Sequence, residues 1–406
     1  MTKPADQRPA TDSPSGTKTD LPNAIQHQGQ TERPAGDSAS SGTPAPAGAA
    51  QTTARRTRAT LDIDLALQGG GSHGAFAWGV LDRLLEEPWL RIECVSGTSA
   101  GAMNAAVLAD GYAAGGAAGA RSALERFWKL VSDAAQWSPL RRSPLDMLIG
   151  RWTLDYSPAF IAMDLAARLF SPYDLNPLAF NPLRDILAQS IDFERLTNSP
   201  IKVFVTATNV RTGRGRVFRN AHLTPDVLLA SACLPTMFQA IEIDGDPYWD
   251  GGYAGNPTIT PLVRESNACD TILVQINPVE RPGTPRSANE IYNRLNEVSF
   301  NATLLKELRM IAVLRRLLAS LGGEQRLAEP GIAQEEWALW AQMRMHRVSS
   351  DLMVELGYSS KLNAEWAFLT MLRDEGRRAA TAFLDRHWDD LGRVATLDLD
   401  DLMDCY

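Results

Sequence analysis

The chain has 406 residues, 44% of them hydrophobic, which is enough for one large domain or two ordinary ones with a sizeable core. A formal charge of -8 argues against general nucleic-acid binding, which leaves a basic footprint. The four cysteines (Cys94, Cys233, Cys269, Cys405) are scattered with no CxxC pair and no zinc spacing, so they read as reduced thiols and no metal site is expected.

Residues 1–60 hold no aromatic residue and no valine and are dominated by Pro, Ala, Gly, Ser, Thr and Gln. Such a segment buries too little apolar surface to offset its ordering entropy, so a disordered N-terminal arm is expected. Arg55, Arg56 and Arg58 at its end read as a solvated junction or as a contact for an anionic surface. The N-terminus lacks the apolar core of a signal peptide, and no run is long enough to span a bilayer. A cytoplasmic protein, peripheral at most to a membrane surface, is the expectation.

Two glycine-framed turns follow in succession. The apolar run Leu65-Ala66-Leu67 leads into Gly69-Gly70-Gly71-Ser72-His73-Gly74, and Ile92 to Val95 leads into Gly97-Thr98-Ser99-Ala100-Gly101. Each pairs a short buried strand with a helix (Ala75 to Glu86, Ala100 to Leu108), which predicts a parallel sheet with both turns at its C-terminal edge. A glycine/alanine stretch (Gly111 to Ala120) then leads into a helix around Ala123 to Val131.

From Trp137 to Pro177 recurring Ser-Pro pairs separate short apolar segments. This reads as an insertion over the sheet edge, either a lid, a lipid-facing surface or an ordinary helical insertion packed on the core. A helix (Pro182 to Ser190) precedes the strand Ile201 to Thr208, a second strand (Arg216 to Phe218) and a helix (Pro225 to Ala232). Ala240 to Asp250 reads as a hairpin that delivers Asp250 into the Gly251-Gly252 turn. Thr271 to Ile276 is one more buried strand, closed by Asn277-Pro278.

Beyond Pro285 strand signals stop. Apolar residues from Ile291 to Leu321 step by three or four, predicting a long amphipathic helix ended by Gly322-Gly323, and Trp337 to Val348 and Ala364 to Trp388 read as two more helices. The domain organisation expected is therefore an arm (1–60), a mixed α/β domain (61–280, with 137–177 as the insertion) and a helical C-terminal region (285–406).

A serine hydroxyl needs a base during attack, and a sharp strand-to-helix turn flanked by Gly97 and Gly101 is the setting in which Ser99 could serve as nucleophile. By itself GxSxG is weak, since a chain this long shows one by chance roughly 0.1 to 0.2 times. Gly69 to Gly74 fits the dinucleotide fingerprint, with Glu93 near the spacing of a ribose-binding acid, but Glu93 falls in mid-strand. The other readings are a purely structural turn, or a loop whose Gly70 and Gly71 N–H groups face the oxyanion of an acyl transfer.

None of the five histidines (His27, His73, His222, His346, His387) falls where a triad histidine would. His346 and His387, in helical patterns beside arginines, read as exposed or capping residues. His73 lies inside the glycine loop, where its charge could help bind an anionic substrate. Asp250 ends a hairpin strand and is either a base acting directly on Ser99 or a turn aspartate satisfied by Gly251 and Gly252.

Taken together, GGGxxG, then GxSxG, then Asp-Gly-Gly about 150 residues later resemble the patatin-like phospholipase family, as does Ser231-Ala232-Cys233-Leu234-Pro235. The resemblance covers roughly Leu61 to Pro278. It implies a three-layer α/β fold, a mainly parallel sheet sandwiched by helices, with a Ser99-Asp250 dyad and no cofactor. It further implies oxyanion donors at Gly70 and Gly71, a loop shaped by Gly69 and Gly74, and an Asp-Gly-Gly turn completed by Gly252. The family's loop often carries Lys or Arg at the position of His73, so this chain departs from the pattern there and pH-sensitive substrate binding follows as an expectation.

The expected function is hydrolysis of fatty-acyl esters of phospholipids, with peripheral contact to a lipid surface and an oligomeric state left open. The alternatives are an acyltransferase or a lipid- or granule-surface binder of the same fold, the latter motivated by the insertion and by Lys306, Arg309, Arg315 and Arg316 on the long helix.

Overall fold

The structure, a computed structural model, describes residues 58–400. The arm expected over 1–60 falls, apart from its last three residues, outside that span, as do His27, Arg55, Arg56 and Cys405.

Eight strands form one mixed sheet: β1 (Leu61–Leu67), β2 (Leu90–Gly97), β3 (Lys202–Asn209), β4 (Gly215–Arg219), β5 (Ile241–Ile243), β6 (Asp246–Asp250), β7 (Asp270–Val274) and β8 (Arg344–Val348). Their order is β5-β6-β3-β2-β1-β7-β8, with β4 paired to β3 off this path. The central pairs β3-β2, β2-β1, β1-β7 and β7-β8 are parallel, and the β5-β6 hairpin joins β3 antiparallel. Successive side chains of a strand face opposite sides of a sheet. Accordingly Ile63, Leu65 and Leu67 of β1 enter one core while Ala66 enters the other, and Ile272 and Val274 part from Leu273 on β7 in the same way. Helices cover both faces, which makes three layers.

The first core lies under α1 (Gly74–Leu84), α2 (Ala100–Ala135) and α4 (Trp366–His387), through residues such as Phe76, Leu81, Val107, Phe127, Phe368 and Leu372. The opposite core packs α3 (Ala288–Ser320) and the helix Glu336–Gln342 onto Phe204, Leu273 and Met345. The glycine/alanine stretch expected to link two helices is itself helical. Its break is confined to Gly115 and Gly116, whose φ/ψ values leave the helical range.

Two C-terminal expectations are corrected. Only the first part of Trp337 to Val348 is helix, and Arg344–Val348 is the edge strand β8, parallel to β7 over Asp270↔Arg344 to Val274↔Val348. His346, read as exposed or capping, is fully buried on that strand, with Nε2 against Asp270 Oδ1 at 3.0 Å and Nδ1 against Thr396 Oγ1 at 3.0 Å. Arg344 also donates to Asp270, and these partners hold its carboxyl down at about 2 against the desolvation that opposes them.

Residues 137–180 form short helices (Pro144–Ile149, Pro158–Leu169, Pro172–Leu175) that leave much of their apolar surface uncovered. Trp137 is 92% exposed, Leu148 85% and Leu178 90%, and no residue of Pro158–Leu169 is buried. Between these helices Leu154 is wholly buried and Trp152 stacks on Phe368 of the core, so the segment is anchored there while its helices stay open to solvent. Among the described residues no helix is long and apolar enough to cross a membrane.

Candidate active site

Parallel registry brings the two turns together. Leu67, the last residue of β1, pairs with Gly97, the last of β2, so both chains leave the sheet at the same level. At this end the order runs β3-β2-β1 to one side and β7-β8 to the other, which places the turn after β1 beside the segment after β7, at the switch point of the sheet.

Ser99 stands between β2 and α2 with φ +54 and ψ -124, a conformation that L side chains rarely adopt. Gly97 and Gly101 make that elbow passable, since a Cβ on Gly97 would collide with the Gly101 backbone and one on Gly101 with the Leu67 carbonyl. Ser99 N–H donates to Ser231 Oγ at 2.9 Å, whose hydroxyl donates to Thr206 O at 2.7 Å, and Thr98 Oγ1 donates to Gly255 O at 2.7 Å. Gly69 and Gly74 abut the elbow: a Cβ on Gly69 would lie 2.7 Å from the Ser99 Cβ, and one on Gly74 2.6 Å from the Ala100 Cβ.

Asp250 arrives from the opposite side. It ends β6 opposite Ala207 of β3, next to the strand that pairs with β2, and is buried. Its Oδ1 accepts from Gly252 N–H at 2.7 Å, and Ser99 lies near enough to lower the proton affinity of its carboxylate. Burial pushes the Asp250 carboxyl up to about 7, against the lowering effects of Gly252, Ser99 and Lys361. Gly251 packs against the Thr206 carbonyl and Gly252 under the Phe300 ring, where neither has room for a side chain.

The loop after β1 is held by side chains from distant segments. Gly69 N–H donates to Asn256 Oδ1 at 2.7 Å, and Gly69 O accepts from Asn277 Nδ2 at 2.8 Å. Gln68, wholly buried, accepts through Oε1 from Ile276 and Asn277 N–H at 2.9 Å each and donates to Asn301 Oδ1 at 3.1 Å. Gly71 (φ +57) lies against the backbone of Lys361. Among the described residues, no partner is present for the N–H groups of Gly70 and Gly71.

His73 does not carry the charge expected of it. It is 2% exposed, its Nε2 lies 2.8 Å from Ser360 Oγ, and Phe368 packs against its ring edge-on. Burial first, then Lys361 and Arg281, drive its proton affinity well below the ordinary imidazole value, so it is neutral at physiological pH. Glu93, the candidate ribose acid, is engaged by Lys202 at 3.3 Å and by Asn267 Nδ2 at 2.9 Å, on β2 and away from the glycine loop's N–H groups. The other residues the sequence reading left out are Asn256, Asn277, Ser360 and Lys361. Only Asn277 carried any local signal, as the closer of a strand.

An α/β sheet with a glycine loop and a strand–serine–helix elbow at one edge defines the class. Residues 65–263 match the family model described as Patatin-like phospholipase, and over those residues the chain carries a patatin-like phospholipase domain. That domain supports a lipid acyl hydrolase or esterase in general terms, with lipids as the substrate class. The solved crystal structure of VipD from Legionella pneumophila is similar over 81% of this chain and 67% of its own, at 16% identity and a TM-score of 0.35. No curated protein matches.

Proposed function

We propose that the protein hydrolyses fatty-acyl esters of phospholipids through a Ser99-Asp250 dyad. The observation that carries this reading is a serine on a strained elbow beside a buried carboxylate whose affinity for a proton sits near neutrality. Ser99 Oγ attacks the ester carbonyl as Asp250 takes its proton, and the Gly70 and Gly71 N–H groups receive the oxyanion. Collapse of the tetrahedral intermediate breaks the ester C–O bond, and Asp250 returns the proton to the departing alcohol. Water, deprotonated by Asp250, then attacks the acyl-enzyme, and the same carboxyl protonates Ser99 as the fatty acid leaves. Gly69, Gly74, Gly97, Gly101, Gly251 and Gly252 keep the reacting groups close, and His73 packs the loop instead of meeting the substrate.

The uncovered insertion fits contact with a lipid surface. It is tied by Gln239 Nε2 to Asn176 O (2.7 Å) and by Leu154 N–H to Ser359 Oγ (3.0 Å), next to segments that flank Asp250 and the glycine loop. Its apolar side chains therefore border the edge of the sheet at which the chemistry would occur.

Ser99→Ala and Asp250→Asn are each expected to abolish turnover of a short acyl ester while leaving the circular dichroism spectrum unchanged. Full activity in Asp250→Asn would remove the dyad. A fluorophosphonate that labels wild type but not Ser99→Ala supports the hydrolase over a lipid binder with little turnover. Product analysis with an added alcohol separates the hydrolase from an acyltransferase.

A further inference from the structure

Lys361 sits on the 3-10 turn Tyr358–Leu362, outside the matched domain, yet reaches the glycine loop. Its Nζ donates to Asn277 Oδ1 at 2.7 Å. Among the described residues it forms no ion pair, because the nearby Glu297 is already held by two arginines, Arg281 at 2.7 Å and Arg294 at 3.3 Å. Its closest partners are therefore a neutral amide and the Tyr358 ring, 5.8 Å away, which leave its charge available to negative charge that develops at the loop.

The bonds beyond it run in one direction. The ammonium donates to the Asn277 carbonyl, and the Asn277 amide N–H donates to Gly69 O at 2.8 Å. That carbonyl belongs to the same peptide unit as the Gly70 N–H. Hydrogen bonds aligned in series polarise one another, so each step makes the next N–H a better donor. Asn256 fixes the same residue from its other side, leaving little freedom for the loop to turn away.

We infer that Lys361 is a positioning residue for the proposed hydrolysis, which strengthens the Gly70 oxyanion donor through Asn277 and Gly69. The inference rests on the reading of Gly70 as an oxyanion donor and goes beyond it by bringing a residue of the C-terminal region into the reaction. A tether with no electrostatic part would hold the loop equally well in any charge state, and the two are separable by pH. The groups facing the ammonium are His73, Arg281, Glu297, Tyr358 and Asp250. Burial, aided by Arg281 and opposed by Glu297 and Asp250, brings Lys361 down to about 8. The cation is present below that pH and lost above it.

The test is the second-order rate at which a fluorophosphonate phosphonylates Ser99, followed by intact mass across pH, together with kcat and KM on a short ester. Wild type is expected to lose rate as pH rises through about 8. Lys361→Met should lose that alkaline limb and react about tenfold more slowly below it, less than the ~10²–10³-fold that loss of a donor costs, with KM unchanged. Its acid limb should move to higher pH, because the charge that lowers Asp250 is gone. Lys361→Arg should restore the rate and remain charged across the range. The inference is overturned if Lys361→Met labels at the wild-type rate with the wild-type profile, or if Lys361→Arg is as slow as Lys361→Met. Should the methionine variant fail to fold, a wild-type rate that stays level well above about pH 8 overturns it by itself. Absence of any label on wild-type Ser99 removes the hydrolase reading as well, whereas labelling that ignores Lys361 removes this inference alone.

Discussion

Asp250 is a carboxylate kept where it is uncomfortable. Its folded value of about 7 stands above the 3.8 of the unfolded chain, so the native state holds a proton that the unfolded state has released. Stability therefore falls as pH rises from about 4 to about 7 and levels off above, by on the order of a few kcal/mol. Asp250→Asn removes this cost. It is expected to melt higher than wild type at about pH 8 and to show no such gain near pH 4, while turnover is lost at both. A melting temperature that does not rise at the higher pH would contradict the raised value. For wild type, the proposed role of the same carboxyl as base is expected to give an acid limb of activity at about 7. Ser99 and Asp250 could be singled out in the sequence because turn chemistry is local: Gly97 and Gly101 around the one, and Gly251-Gly252 after the other, mark a backbone with no room for side chains. Lys361 and Asn277 could not, since only tertiary folding brings them to Gly69. The charge expected of His73 is absent for a related reason, because whether an imidazole is charged depends on burial that its neighbours in the sequence do not reveal.

Among the elements, α1 and α4 meet most closely. A Cβ on Gly79 would collide with the Arg373 carbonyl, and one on Gly376 with the Phe76 carbonyl. The two backbones touch across a glycine on each helix, and Phe76, Val80, Phe368 and Leu372 fill the space beside the contact. On an exposed helix Gly→Ala would add up to about 1 kcal/mol of stability through propensity. At Gly376 the sign should reverse, with Gly376→Ala destabilised by about 1–3 kcal/mol from overpacking, read from urea unfolding. An alanine variant as stable as wild type would mean that the helices can part without cost. These helices were legible because their apolar residues recur at helical spacing. The strand β8 was not: Arg344, Met345, His346, Arg347 and Val348 do not alternate cleanly between buried and exposed. Its buried polar residue, His346, is satisfied by Asp270 and Thr396, from other segments. Without those partners visible, the run reads as a continuation of the helix before it.

Over the whole molecule the least settled surface is the insertion, and its composition says what kind of partner would settle it. Residues 137–180 contain four arginines and four aspartates, with no lysine or glutamate, so the segment is formally neutral within a chain of net charge -8. Attraction to anionic head groups through a basic patch is therefore not its basis, and binding to a bilayer would rest on apolar burial with little dependence on salt. Leu148, Phe170 and Leu178 all project into solvent, and burying side chains of this size contributes about 1.5–3 kcal/mol each. Replacing the three with serine is expected to lower partitioning onto phosphatidylcholine vesicles by at least a hundredfold, since about 1.4 kcal/mol is a factor of ten. Hydrolysis of vesicle lipid should fall in parallel. Turnover of a short soluble ester should stay at the wild-type level, because none of the three touches Ser99, Asp250 or the glycine loop in the contacts described above. Vesicle binding that survives the triple substitution, or that disappears in moderate salt without it, would assign the lipid contact to another face.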